Sequence, residues 1–278
     1  MGTLYIVATP IGNLEDITLR ALRVLREVSL IAAEDTRRTR KLLNHFSIPT
    51  PAISYHEHNK LTRLDRILDA LATGDVALVS DAGTPIISDP GRELVAAVLA
   101  VGHRVVPIPG PSALATALSA AAMPMDCVLY LGFLPRRSRE RQALLARYRD
   151  LPCTLAIFEA PHRLRECLTD LRTVLGNRPA VVCQEMTKIY EEFHRGTLDD
   201  LIAHFAQQEP QGEFTLVIAG AMAPPPSPIM PDQIRERLRA ELAAGQSLSA
   251  AAASVAAALG LPKRIIYQQA LAEQEQGQ

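Results

Sequence analysis

The chain has 278 residues, of which 48% are hydrophobic and 21% are charged, and its formal net charge is −1. This length predicts a substantial core and more than one domain, and the near-zero charge excludes a protein that coats nucleic acid with its whole surface, though not one with a local basic patch. The most apolar stretches are short, Ala-rich and interrupted by polar residues or proline, and the amino terminus lacks a basic region, so we expect neither a membrane-spanning helix nor a signal peptide.

The first 131 residues alternate between short apolar runs and helical patterns, which predicts a doubly wound parallel sheet. The predicted strands are residues 4–8, 30–33, 52–55, 76–80, 104–108 and 128–131. The predicted helices between them are residues 17–27, 36–46, 61–72, 91–101 and 112–122. We therefore expect an N-terminal α/β domain over residues 1–131.

Three of these strands run into loops that are rich in glycine and proline. The loops are residues 9–13, 81–91 and 109–113. Glycine permits close approach of a backbone to a ligand, and proline stiffens a turn. Because ligands of open α/β sheets bind at the carboxyl edge of the strands, the three loops predict a ligand site there.

The alternation is less regular in the second half of the chain. A linker-like segment at residues 132–135 precedes a predicted basic helix at residues 136–150. Further strands are predicted at residues 154–158, 180–185, 190–196 and 214–219, with a helix between the first two. This pattern favours a mixed sheet in a second α/β domain over residues 132–222.

The last part of the sequence predicts a separate helical tail over residues 232–278. Five prolines between residues 223 and 231 indicate a stiff, extended linker before it. The tail contains three predicted helices, at residues 232–243, 247–258 and 263–275. It resembles a small helix-turn-helix module, but an appendage that packs a dimer explains the pattern equally well.

Several common chemistries are not supported. The first loop has one glycine where a dinucleotide fingerprint needs three, and no Gly-Lys-Ser/Thr sequence exists. His56-Glu57-His58 lacks a third ligand at suitable spacing, so we interpret it as a polar loop and predict no metal site. We interpret the widely spaced cysteines as reduced thiols of a cytoplasmic protein; they are Cys127, Cys153, Cys167 and Cys183.

Basic residues cluster beside the predicted ligand edge and at the joint between the predicted domains. A run of charge is usually only a solvated helix face. The position of these clusters nevertheless favours an anionic substrate such as RNA phosphates. The candidate RNA-binding residues are Arg37, Arg38, Arg136, Arg137, Arg139 and Arg141.

Seven motifs in order resemble the tetrapyrrole-methylase superfamily, and within it the RsmI type. They are VATPIGNLED (7–16), AEDTRRT (33–39), SDAGTP (80–85), SDPG (88–91), PGPSA (109–113), FEAPHR (158–163) and GEFTLV (212–217). The resemblance spans nearly the whole chain. It implies transfer of a methyl group to the ribose 2′-hydroxyl of cytidine 1402 in 16S rRNA.

The resemblance further implies a homodimer, 16S rRNA or the small ribosomal subunit as partner, and S-adenosylmethionine bound in the cleft between two α/β domains. The cofactor residues that it implies are Pro10, Ala82, Gly83, Thr84, Ile87, Ser112, Ala113, Phe158 and Met186. Members of the superfamily that modify corrins and porphyrins carry Gly-x-Gly-Pro-Gly-Asp in the first loop. The sequence Thr-Pro-Ile-Gly-Asn at residues 9–13 argues against a tetrapyrrole substrate.

Methyl transfer to a hydroxyl is an in-line displacement, so alignment should provide most of the acceleration. A general base would assist the weak nucleophile. The candidates are Glu34, Asp35, Glu185 and Lys188. Glu34 and Asp35 are equally explained as structural partners of Arg37 and Arg38, and Lys188 as a residue that neutralises phosphate.

The residues alone are compatible with two other functions. One is a methyltransferase for a small substrate such as a corrin, which the basic clusters and the first loop disfavour. The other is a non-catalytic RNA-binding protein of ribosome assembly, which the intact loops at residues 81–85 and 109–113 disfavour.

Overall fold

A computed structural model describes residues 2–56, 60–222, 231–259 and 261–276. The chain forms two compact units, residues 1–221 and residues 222–278. The first unit contains two five-stranded sheets. Glu57 and His58 of the predicted polar loop lie outside the described residues, as do residues 223–230 of the predicted linker.

The first sheet has the strand order β3-β2-β4-β1-β5, and every neighbouring pair is parallel. Its strands are β1 (Thr3–Val7), β2 (Leu30–Ala33), β3 (Ala52–Ser54), β4 (Val76–Val79) and β5 (Arg104–Ile108). The helices are α1 (Leu19–Glu27), α2 (Thr36–His45), α3 (Lys60–Thr73), α4 (Arg92–Ala100) and α5 (Ala113–Ala120). This arrangement confirms the predicted doubly wound sheet.

The continuous apolar runs of the central strands follow from burial on both faces of the sheet. All residues of β2 and β4 are buried. Side-chain caps fix where the helices begin: Thr18 accepts from the backbone of α1, Asp35 from α2 and Ser112 from α5. The caps Asp35 and Ser112 thus lie at the carboxyl edge of the sheet.

The second sheet is mixed, as predicted, with the order β6-β7-β10-β8-β9. Its strands are β6 (Val128–Phe133), β7 (Thr154–Glu159), β8 (Pro179–Gln184), β9 (Glu192–Thr197) and β10 (Phe214–Ile218). β6 and β7 are parallel, whereas β10 is antiparallel to both β7 and β8. The accompanying helices are α6 (Ser138–Ala146), α7 (Leu164–Leu175) and α8 (Leu198–Gln207).

The structure places β6 differently from the sequence-based expectation. The strand belongs to the second sheet rather than the first, and residues 132 and 133 continue it instead of forming a linker. The sequence-based assignment put this strand in the first domain because it precedes the basic segment. The strand pairs with β7, and this pairing makes it part of the second sheet. The predicted boundary at residue 131 therefore falls inside a strand.

One predicted RNA contact is a core residue. The Arg141 side chain is 0% exposed, and its Nε donates to Asp170 Oδ2 over 2.7 Å. The backbone oxygens of Pro135 and Arg136 also accept from this guanidinium. The prediction that Arg141 contacts RNA phosphate was wrong, because this arginine joins α6 to α7 inside the protein.

The prediction of four reduced thiols was wrong for two of them. Cys127 and Cys153 form a disulfide with Cα atoms 4.7 Å apart. They precede β6 and β7, and the register that pairs Val128 with Thr154 sets the two cysteines side by side. Cys167 and Cys183 are buried free thiols, as expected.

The second unit is a helical tail with its own core. Its helices are α9 (Pro231–Ala243), α10 (Leu248–Leu259) and α11 (Lys263–Gln276). Leu238, Val255 and Ile266 are among the buried side chains that join the three helices. No helix within the described ranges is long and apolar enough to cross a membrane.

We expect the Arg141–Asp170 pair to be essential for stability. Arg141→Ala leaves the buried Asp170 carboxylate without its charged partner, which typically costs about 3–5 kcal/mol of unfolding free energy. Urea denaturation measures this change. Arg139→Ala, on the exposed face of the same helix, is the matched control and should alter the free energy by less than about 0.5 kcal/mol. Equal effects of the two substitutions would contradict the structural role.

Candidate active site

Hydrogen bonds join the three glycine- and proline-rich loops at the carboxyl edge of the first sheet. Thr9 N donates to Gly83 O and Gly83 N donates to Thr9 O, both over 2.9 Å. Thr84 Oγ1 donates to Pro111 O over 3.2 Å, which connects the second loop to the third. The loops that the sequence predicts at one edge are thus a single bonded structure.

These loops form one wall of a cavity of about 320 Å³, within the range of small-ligand sites. The other wall comes from the second sheet, where β6 and β7 end and the antiparallel β10 begins. The lining residues are Ile11, Glu34, Arg38, residues 81–84, residues 87–89, Ser112, Ala113, Phe133, residues 158–161 and residues 212–215.

The second loop has a strained backbone. Ile86 and Ser88 have φ angles of +76° and +67°, in the left-handed region that non-glycine residues rarely adopt. Gly83 and Gly91 also have positive φ. Such strain persists where surrounding structure holds it, and it concentrates at functional sites. Here the strained residues directly precede Asp89, which lines the cavity.

Three of the carboxylates that line the cavity lie on the wall formed by the first sheet: Glu34, Asp81 and Asp89. Glu34 accepts from the backbone N–H of Asp81, and Asp81 accepts from that of Asp35. Burial raises the pKa of all three, and for Asp89 burial and the nearby Glu34 charge raise it to about 6. This wall of the cavity therefore favours a cationic ligand or a proton.

Asp35 is not suited to take a proton. Its carboxylate caps α2 and binds the Arg37 guanidinium, with Nη2–Oδ2 at 2.7 Å. The hydrogen bonds from Arg37 lower the pKa of Asp35 to about 2. Asp35 is thus better explained as a structural partner of Arg37 than as a base. The other predicted partner, Arg38, instead pairs with Asp81 at the cavity wall, with 3.5 Å between Nε and Oδ2.

Residues 185–188 and Glu213 form a group joined by ion pairs of Lys188, which we call the clamp; Glu213 lines the cavity. Lys188 Nζ contacts Glu185 Oε1 at 2.8 Å and Glu213 Oε2 at 3.2 Å. Partial burial acts to lower the pKa of Lys188, but its bonds to Glu185 and Glu213 raise it overall. A lysine so held stays protonated, which makes it a poor base.

The clamp also supports the first loop. Asn13 N donates to Thr187 Oγ1 over 3.1 Å. A β-carbon on Gly12 would lie 2.5 Å from Lys188 Cγ, so only glycine fits there without displacement. Neither Glu185 nor Lys188 lines the cavity.

Most of the predicted cofactor residues meet at this cavity. Those in its lining are Ala82, Gly83, Thr84, Ile87, Ser112, Ala113 and Phe158. Pro10 and Met186 do not line it; Met186 is buried in a cluster with Ile11, which does. Arg37, Arg136, Arg137 and Arg139 lie at the surface outside the lining.

Sequence reasoning missed several residues that line the cavity. Asp81 and Asp89 lie in a loop that was chosen for its glycines, although their acidic side chains were visible in the motifs SDAGTP and SDPG. Phe133 was assigned to a linker. Glu159 is buried and ion-paired to Arg163 at 3.1 Å, so it is a structural member of the wall.

Within the described ranges, no group of three or more His, Cys, Asp or Glu side chains is arranged to hold a metal ion.

Comparison with known proteins identifies the family. Residues 3–202 match the model of the Tetrapyrrole (Corrin/Porphyrin) Methylases, and residues 232–274 match the RsmI C-terminal HTH domain. The "Ribosomal RNA small subunit methyltransferase I" of Synechocystis sp. is 49% identical over 98% of each chain. The protein of the same name from Halalkalibacterium halodurans is 47% identical over 96% of this chain and 93% of its own.

A solved structure shares the fold at low identity. The uroporphyrin-III C-methyltransferase of Thermus thermophilus, complexed with S-adenosylhomocysteine, is 19% identical, with a TM-score of 0.55 over 78% of this chain and 97% of its own. The chain belongs to the tetrapyrrole methylase family, it groups with the curated ribosomal RNA small subunit methyltransferases I, and it is a methyltransferase with a helix-turn-helix tail.

We expect Asp89 to give the stability of the protein a distinctive pH dependence. Its folded pKa of about 6 exceeds the ordinary value of 3.8. Between these values the folded state keeps a proton that the unfolded chain has lost, so the unfolding free energy falls as the pH rises through this window. Asp89→Asn should flatten that slope in urea denaturation.

Asp35 supplies a control of opposite sign. Its folded pKa of about 2 lies below 3.8, so its contribution is present above the ordinary value and is lost as the pH falls toward 2. Asp35→Asn should leave the slope between pH 5 and 6 unchanged. A slope that survives Asp89→Asn would place the buried proton elsewhere.

Proposed function

We propose that this methyltransferase uses S-adenosylmethionine to methylate the ribose 2′-hydroxyl of cytidine 1402 in 16S rRNA. The observation that carries the proposal is that relatives 49% and 47% identical over nearly the whole chain are named for small-subunit rRNA methylation. The partner is 16S rRNA or the assembled small subunit.

The cavity fits the cofactor in shape and charge. Its loops are bonded to one another and include Gly83, where the backbone can approach a ligand closely. Glu34, Asp81 and Asp89 complement the positive charge of a sulfonium and an amino group. The residues proposed to hold it are Ala82, Gly83, Thr84, Ile87, Ser112, Ala113 and Phe158, with Pro10 and Met186 as supports.

When bound, S-adenosylmethionine supplies an electrophilic methyl group. The protein must hold the acceptor hydroxyl in line with it and keep water away, which accounts for up to about 7–11 kcal/mol of the barrier. Of the four base candidates, Glu34 alone lines the cavity, and burial raises its pKa. We assign the proton acceptor to Glu34.

Exposed arginines provide the proposed RNA surface. Arg136, Arg137 and Arg139 follow the cavity residue Phe133 along the chain. The Arg37 side chain is 88% exposed, and Arg38 lines the cavity. We infer that these residues neutralise RNA phosphates, whose contacts supply much of the affinity without reading sequence.

The remaining parts of the proposal concern assembly and location. From the family resemblance we infer a homodimer and a division into an N-terminal and a second α/β domain. From the rRNA substrate we infer a cytoplasmic location.

Gly83→Val should weaken S-adenosylmethionine binding at least tenfold. Its φ of +75° disfavours a side chain, and a β-carbon would lie 3.3 Å from Ile11 Cγ2, at the point where the first two loops join. Titration calorimetry measures the affinity, and thermal unfolding confirms that the variant folds.

Gly176→Val is the matched control for this change. Gly176 has a φ of +84°, but nothing lies within 4 Å of its β-carbon position, and it is outside the cavity lining. The control should lose some stability and keep its cofactor affinity. Unchanged affinity in a folded Gly83→Val protein would remove the second loop from the cofactor site.

The acceptor atom is tested with RNA that carries 2′-deoxycytidine at the target. Such RNA should still bind, because phosphate contacts remain, but it should accept no methyl group. On unmodified RNA, Glu34→Gln should lower the single-turnover rate by about 10²–10⁴-fold if Glu34 takes the proton.

Asp35→Asn serves as the control, with a much smaller effect expected on the rate. Methylation of the deoxy substrate would overturn the ribose assignment. A wild-type rate for Glu34→Gln would leave alignment as the main source of catalysis. Methylation of a corrin but not of RNA or small subunits would overturn the rRNA assignment.

A further inference from the structure

Phe133 is a large apolar residue that is exposed at the cavity. Its relative exposure is 54%, and it lines the cavity opposite the glycine-rich loops. Its two neighbours, Gly132 and Leu134, are buried. A single exposed apolar side chain is common on protein surfaces, but this one lines a cavity, where its ring is available to a ligand.

A β-bulge at Leu131 in β6 turns Phe133 toward the cavity. Tyr130 pairs with Ala156, but Gly132 pairs with Ile157, so Leu131 is an extra residue. Side chains alternate between the faces of a strand, and the extra residue moves Phe133 to the face that carries Tyr130 and Phe158. In a regular strand it would point to the opposite face.

The bulge is built into the surrounding structure. Gly132 has a φ of +61°, and a β-carbon there would lie 2.9 Å from Ser88 Oγ, which is itself bonded to Tyr130 Oη at 2.6 Å. On the other side, Arg163 donates to the backbone oxygens of Leu134 and Pro135. The position of Phe133 is therefore fixed before any ligand binds.

An aromatic ring contacts Phe133, and basic residues follow it along the chain. Phe133 and Tyr130 both contact Phe158 edge-to-face, with centroid distances of 5.8 and 5.2 Å. The exposed Arg136, Arg137 and Arg139 follow within six residues. An aromatic platform next to arginines is the combination that binds single-stranded nucleic acid, with bases on the ring and phosphates on the cations.

We propose that Phe133 stacks on the base of the target nucleotide and so positions its ribose in the cavity. This inference rests on the proposed function and extends it to a specific residue. A nucleotide whose ribose reacts inside a cavity must leave its stack in the RNA, and the enzyme must compensate for the lost stacking. Phe133 acts on the substrate's position and takes no part in the proton transfer.

The experiment combines variants of Phe133 with a change in the RNA. Loss of base–aromatic stacking corresponds to about a 5- to 160-fold change in binding. Phe133→Ala should raise the KM for RNA at least fivefold and leave the calorimetric affinity for S-adenosylmethionine within twofold. Phe133→Trp should restore the KM, whereas the apolar but non-aromatic Phe133→Leu should not.

An RNA with an abasic ribose at the target completes a double-mutant cycle, because it keeps the 2′-hydroxyl and lacks only the base. The wild-type enzyme should bind this RNA as weakly as Phe133→Ala binds normal RNA, and Phe133→Ala should lose nothing more. Additive losses would overturn the inference, as would a parallel loss of cofactor affinity. Failure of the wild-type enzyme to methylate either RNA or small subunits would instead reject the proposed function.

Discussion

The paired hydrogen bonds between Thr9 and Gly83 are the contact on which the active-site geometry depends. They hold the first loop against the second, and the left-handed φ of Gly83 makes that approach possible. The third loop and the clamp around Lys188 are attached to this pair through Thr84 and Thr187. The cavity is therefore a bonded assembly of loops, which is the preorganisation that an alignment-driven reaction requires.

The role of each carboxylate at the site depends on whether an arginine is paired with it. Asp35 is neutralised by Arg37 and Glu159 by Arg163, so both carboxylates are committed to structure. Glu34 and Asp89 face the cavity, and burial raises the pKa of each. The same chemical group thus serves as a helix cap in one place and as a candidate ligand or base in another.

The sequence predicts the architecture better than the roles of individual residues. Strand and helix periodicity, together with glycine and proline, located the first sheet and the three loops, since these signals are local. The mistakes concern Arg141, Cys127 and the sheet membership of β6, and each depends on a strand register or a partner distant in sequence. Asp89 was overlooked because its raised pKa arises from burial and from Glu34, neither of which is visible in a local motif.

The mixed topology of the second sheet has a functional consequence. β7 ends at the cavity, and a parallel β10 would have placed its own beginning at the far edge of the sheet. Because β10 is antiparallel to β7, Phe214 pairs with Glu159, and residues 212–215 reach the cavity at the start of a strand. The bulge in β6 acts at the same edge by turning Phe133 to the face of Phe158. One sheet thus supplies cavity residues from the ends of β6 and β7 and the beginning of β10, and the contributions of β6 and β10 depend on departures from a regular parallel sheet.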